Sequence, residues 1–178
     1  EYGGRFLLVS NLPYNVASSV MLNLVAGSVA VDDMHITVQK EVAERMTAEP
    51  GCKEYGPLSI FLAATGQAKT IKMLSPDVVW PRPQVESAMI SFRRTEEKAE
   101  RIKNIQIFSE VVAVFMQHRR KMLKACTKFA SGRLKAVKDW QQIFEQCSIN
   151  PQNRPEQLSA EDYIAISNLC CGQLKADK

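Results

Sequence analysis

The sequence predicts an α/β sheet region followed by an all-helical region. Three observations carry this. Short apolar runs alternate with amphipathic helical patterns over residues 1–95. A polar stretch, RTEEKAERIKN, follows the last of those runs. Beyond it, apolar residues recur at helical spacing only. The expected division is therefore 1–95 and 96–178.

The first element is a strand over residues 5–10, where FLLV is a continuous apolar run of the kind found in strands buried on both faces. Pro13 cannot donate to a sheet ladder, so the strand stops near Ser10. Val20, Met21, Leu24 and Val25 then mark an amphipathic helix stopped by Gly27. Met34, Ile36 and Val38 alternate and predict a second strand over residues 34–39. A short helix holding Val42, Ala43 and Met46 closes at Pro50-Gly51, and GPLSIFLAAT predicts another with Pro57 in its first turn. Strands follow over residues 67–74 and 87–94, separated by the proline-rich SPDVVWPRPQVES. The order β-α-β-α-β-β is that of a doubly wound sheet finishing in an antiparallel hairpin.

In the second region one long helix is predicted over residues 105–130, burying Phe108, Val111, Val112, Phe115 and Met116. Trp140, Ile143, Phe144 and Cys147 predict a second helix. Pro155 interrupts the chain. A third helix starts within LSAEDYIAISNLC, with Ser159 as N-cap and Asp162 three residues on.

At 46% hydrophobic, the 178 residues can bury a real core, and no apolar run reaches membrane-spanning length, so no membrane partner is expected. The five cysteines are odd in number and lack Cys-x-x-Cys spacing, which predicts a reduced, cytoplasmic protein. His35 and His118 lack metal-ligand spacing, so no metal is expected, and a monomer is the simplest state. The net charge of +4 is unevenly spread. Eight basic residues and no acidic one fall between Val111 and Lys138, among them Arg119, Arg120, Lys121, Lys124 and Lys128. On one continuous helix, Arg120, Lys124 and Lys128 would share a face away from Phe108, Val112 and Phe115. Such a block is either a polyanion-binding face or a solvated helix surface.

Asn11-Leu12-Pro13-Tyr14 lies at the carboxyl end of the first predicted strand, where open α/β sheets bind ligands. Taken alone, an Asn just before this proline turn also fits an Asx-turn. No G-x-G-x-x-G or P-loop pattern occurs, and Gly3-Gly4 precedes the first strand instead of following it. Either the sheet is complete and small, or the chain lacks an N-terminal half.

Six segments, in order, carry a resemblance. NLPYNV is similar to a catalytic motif, and MHITVQKEVAERM to the strand and helix that follow it. YGPLSIFL resembles a tyrosine-glycine-x-leucine-serine helix, and WPRPQVESAMI a proline-rich motif ahead of the last strand. FMQHRRKMLKA and NPQNRPEQLSAEDY resemble hallmark segments of a small helical domain. Together they resemble the ribosomal RNA adenine N6,N6-dimethyltransferases of the KsgA type, over the whole chain and as the C-terminal two thirds of the family's length.

The resemblance implies the C-terminal half of a Rossmann-like methyltransferase sheet, followed by a helical rRNA-binding domain. It implies S-adenosylmethionine as cofactor and small-subunit (16S-type) rRNA adenosines as target, in an enzyme active only when whole. The related large-subunit, antibiotic-resistance methyltransferases and a non-catalytic rRNA-binding assembly factor are the alternatives. By resemblance, the Asn11 side-chain carbonyl and the Leu12 main-chain carbonyl accept the two N6 hydrogens of adenine, an alignment effect. Pro13 rigidifies the turn and, with Asn11, borders the cofactor. Tyr14 stacks on the flipped base. Where the family usually has a second stacking phenylalanine, this chain has Val79, with Trp80 beside it. Trp80 is either the replacement platform or a packing residue. Arg82 replaces a common proline and either meets phosphate or stands exposed. Arg119, Arg120, Lys121, Lys124 and Lys128 form the implied rRNA contact.

Overall fold

The structure, a computed structural model, describes residues 6–13, 16–27, 31–78 and 85–176. Tyr14, Val79, Trp80 and Arg82 lie outside the described residues. The first region runs β1 (Leu7–Asn11), α1 (Ala17–Ala26), β2 (Asp33–Gln39), α2 (Lys40–Met46), α3 (Pro57–Thr65), β3 (Gly66–Leu74) and β4 (Ser87–Arg94). The strands order as β1-β2-β4-β3. β1 and β2 are parallel, while β4 runs antiparallel to both β2 and β3. This is the expected winding: the last strand returns as a hairpin and slots between its predecessors.

The alternation read in β2 is present, with Met34, Ile36 and Val38 buried and His35 exposed. Ala88, Ile90 and Phe92 of β4 join them, in one core with Met21 and Val25 of α1 and Ile60 and Leu62 of α3. β1 departs from expectation. It is an edge strand, with Leu7 56% and Val9 72% exposed. A continuous apolar run shows that a strand can be buried on both faces, not that both are covered. β3 is the opposite edge, and an irregularity at Ile71 between Thr70 and Lys72 breaks its flat ladder.

The polar stretch after β4 holds a short helix, α4 (Glu96–Ala99), whose Lys98 Nζ donates to the Ala63 and Gly66 carbonyls at the end of α3. The remaining helices are α5 (Ile105–Gln117), α6 (Leu123–Cys126), α7 (Trp140–Gln146) and α8 (Ala160–Ala176). Asn104 and Asp139 cap α5 and α7. The Ser159–Asp162 pairing at the start of α8 is the expected capping box, with hydrogen bonds in both directions.

The long helix over residues 105–130 is not formed. α5 ends at His118, and a turn at His118–Lys121 leads into α6 and a 3-10 turn, Thr127–Phe129. The reason lies in the pattern. One turn beyond Phe115 and Met116 stand Arg119 and Arg120, so the apolar stripe fails there. Reversal instead buries Leu123 and Cys126 completely, and the Leu123 and Lys124 amides donate to the Asn153 and Pro151 carbonyls.

The helices are locked to the sheet region around Pro155–Gln157. Tyr55 donates its hydroxyl to the Leu158 carbonyl at 2.8 Å, and Tyr163 donates to the Pro155 carbonyl at 2.9 Å. Gly51, at φ 88°, turns its amide onto the Glu156 carbonyl at 2.7 Å, a backbone conformation that side chains disfavour. Replacing Tyr55 with phenylalanine strands the Leu158 acceptor and is expected to cost about 1–2 kcal/mol in a urea melt. Burial pushes both phenols well above their ordinary value of 10.0, and the Cys170 thiol from 9.0 up to about 12. The unfolded chain therefore releases these protons first as pH rises. The urea midpoint is expected to hold from neutral pH to about 8.5 and fall above about pH 9.

Candidate functional site

Asn11 is the last residue of β1, in register with Thr37 of β2, and its side chain is exposed. Leu12 is the anchor: its side chain is 7% exposed within the core, and its amide donates to the Thr37 carbonyl at 3.1 Å. The Pro13 carbonyl accepts the amides of Val16 and Ala17 and so ties the tetrapeptide to the start of α1. Among the described residues, neither the Asn11 carboxamide nor the Leu12 carbonyl has a hydrogen-bond partner. An Asx-turn at Asn11 requires an amide two residues on, and that residue is Pro13, which has none. The segment thus offers, among the described residues, two unclaimed acceptors at the carboxyl end of a strand.

An open groove of about 400 Å³ leads along the uncovered sheet face to Asn11, past Val9, His35, Thr37, Ile71 and Met89. Its apolar walls and the β1 edge form one exposed surface. Among the described residues no group of three metal-ligating side chains occurs, and no helix is long and apolar enough to cross a membrane.

The basic block divides into two parts. Arg119 is spent inside the protein: its guanidinium pairs with Glu156 at 2.9 Å and donates to the Lys53 carbonyl at 3.1 Å. Arg133 pairs with Glu110. Arg120, Lys121, Lys124 and Lys128 are exposed and have no ion pair among the described residues. Because α5 stops, Arg120, Lys124 and Lys128 do not form the expected i+4 stripe; they sit on the turn, on α6 and on the 3-10 turn. Sequence reasoning missed the Arg119–Glu156 clamp, which spans chain segments with no shared periodicity. It also missed Phe129, an aromatic inside the basic run that lies against His118 with ring centroids 3.9 Å apart.

A four-stranded sheet with one late antiparallel strand, an Asn-Leu-Pro turn at the carboxyl end of β1 and appended helices define part of a Rossmann-like methyltransferase fold. The chain belongs to the ribosomal RNA adenine dimethylase family, which matches residues 1–170. It is 38% identical over 162 residues to the ribosomal RNA small subunit methyltransferase A of Clostridium perfringens, spanning 90% of this chain and 55% of that protein. The protein of the same name from a Shewanella species is 31% identical, across 95% of this chain and 60% of its own length. The chain thus spans a little over half the length of the relatives it matches. Two solved structures share the fold. A dimethyladenosine transferase from Plasmodium falciparum superposes with a TM-score of 0.78 at 17% identity, covering 97% of this chain and 69% of that one. The 23S rRNA methyltransferase ErmE gives 0.65 at 14% identity, covering 94% and 66%.

Proposed function

We propose that this chain is the target-base and rRNA-binding part of an S-adenosylmethionine-dependent enzyme that dimethylates N6 of adenosines in small-subunit rRNA during ribosome biogenesis. The observation that carries this reading is the pair of acceptors at Asn11 and Leu12 that no described residue claims, in a chain of this family. The exocyclic amine of adenine is a weak nucleophile, because its lone pair is delocalised into the ring. Two acceptors on its two hydrogens fix the amine and aim the lone pair, so the gain is orientation rather than proton abstraction. Core burial of the Leu12 side chain and the Thr37 hydrogen bond keep those acceptors in place. S-adenosylmethionine supplies the sulfonium-activated methyl group when bound. Asn11 and Pro13 would border its methyl-bearing end, and the rest of its site belongs to a part of the whole protein that this chain does not include.

Tyr14, next in sequence, is assigned to stacking on the flipped base, with Trp80 as second platform and Arg82 as a phosphate contact. Arg120, Lys121, Lys124 and Lys128 are assigned to rRNA phosphates, while Arg119 holds their turn. The division at residues 95 and 96 separates the two tasks. The exposed apolar β1 edge and open sheet face are surfaces that the rest of the protein would cover. The same reading places the protein in the cytoplasm as a monomer.

The test is a calorimetric titration of S-adenosylmethionine into this chain and into the full-length protein. Binding only by the full-length protein is the expected result. Binding of equal strength by the short chain would overturn the assignment of the cofactor site to the missing part.

A further inference from the structure

We propose that the His118–Phe129 pair is a stacking platform for one unpaired nucleobase of the bound RNA. The proposal rests on the reading of the basic turn as an rRNA-binding face and adds what that face recognises. Phe108, Phe115, Phe144 and Tyr163 of the helical region are fully buried, or nearly so, whereas Phe129 is 46% exposed. It is not needed as a core anchor, because Leu123 and Cys126 already fill the interior beneath the turn at 0% exposure. Its ring is nonetheless held in place. The reversal after α5 brings it onto His118 at 3.9 Å with an interplanar angle of 28°. The Lys121 ammonium stands 5.8 Å from the ring centroid.

A flat ring, pre-stacked and therefore costing little entropy to use, suits a planar base. The surroundings suit its phosphates, since Arg120, Lys124 and Lys128 are exposed and have no ion pair among the described residues. A cation resting on the ring can yield its place to a base and pair with the adjacent phosphate. In an RNA duplex the base faces are already stacked on one another. Only an unpaired nucleotide in a loop, bulge or overhang can use the platform, so the surface discriminates unpaired from paired RNA.

The test uses two probes with equal numbers of phosphates, an RNA hairpin with 2-aminopurine in its loop and a blunt RNA duplex. Binding of this chain is read by anisotropy, and stacking by 2-aminopurine quenching. Expected is tighter binding of the hairpin by the wild-type chain. Phe129→Ala and Phe129→Leu should each weaken hairpin binding about tenfold, leave the duplex unchanged and abolish quenching. Phe129→Trp should restore both readouts. Equal losses on hairpin and duplex, or no loss on either, would overturn the platform while leaving the basic face intact; the second result would leave the ring to a protein partner. A wild-type chain that binds neither probe would overturn the rRNA-face reading, and the platform with it.

Discussion

Replacing Asn11 with alanine in the full-length protein is expected to lower the methylation rate by at least about a hundredfold while leaving rRNA affinity and stability unchanged. The rate loss follows from the proposed role. With one acceptor gone, the amine rotates and the lone pair is no longer aimed, and loss of orientation of this order costs about two powers of ten. Stability should hold because the side chain is exposed and has no partner among the described residues, so its removal opens no cavity and strands no buried group. Affinity should hold because the exposed cations lie on a different element. Asn11→Asp keeps an acceptor at the same reach and should retain more activity than alanine. Single-turnover methylation of precursor small subunits, alongside filter binding, separates the cases. Undiminished methylation by Asn11→Ala would remove the residue from the mechanism.

How much of this was legible in the sequence depends on whether the signal was local. The Met34, Ile36, Val38 alternation and the Ser159–Asp162 capping box each lie within a few residues, and the structure shows both as read. The end of α5 was also written locally, in the placing of Arg119 and Arg120 where the apolar stripe needed side chains to bury. An i+4 repeat of cations concealed it, since the same spacing serves a continuous helix. β1 reads as a strand of the kind buried on both faces, and in this chain one of its faces is open, because apolar composition says nothing of which part of a protein covers a strand. The clamps from Tyr55 to Leu158 and from Arg119 to Glu156 join distant segments, and no periodicity marks such pairs. The Asn11 position follows from a strand meeting a proline, and the same proline removes the amide that an Asx-turn would use.

Adjacent arginines should give opposite phenotypes. Reversing the charge at Arg120 and Lys124 together is expected to leave the urea midpoint unchanged and to weaken binding to an RNA hairpin by at least about thirtyfold at about 0.1 M salt. Each phosphate contact contributes roughly 0.7–0.9 to the slope of log K against log salt, so two lost contacts remove about 1.5 powers of ten at that concentration and flatten the slope by about 1.5. Arg119→Ala should do the reverse. Its guanidinium and the Glu156 carboxylate are 32% and 25% exposed, and truncation leaves the carboxylate and the Lys53 carbonyl without their donor. The expected cost is about 1–3 kcal/mol of stability, with the salt slope of the wild type. An unchanged slope in the double reversal would take the basic turn out of RNA binding. A flattened slope with full stability in Arg119→Ala would make that arginine a phosphate contact, and the clamp to Glu156 would then be incidental to the fold. Equal charge does not decide between these roles; what decides is that the half-buried guanidinium already has an anion, while its exposed neighbour has none among the described residues.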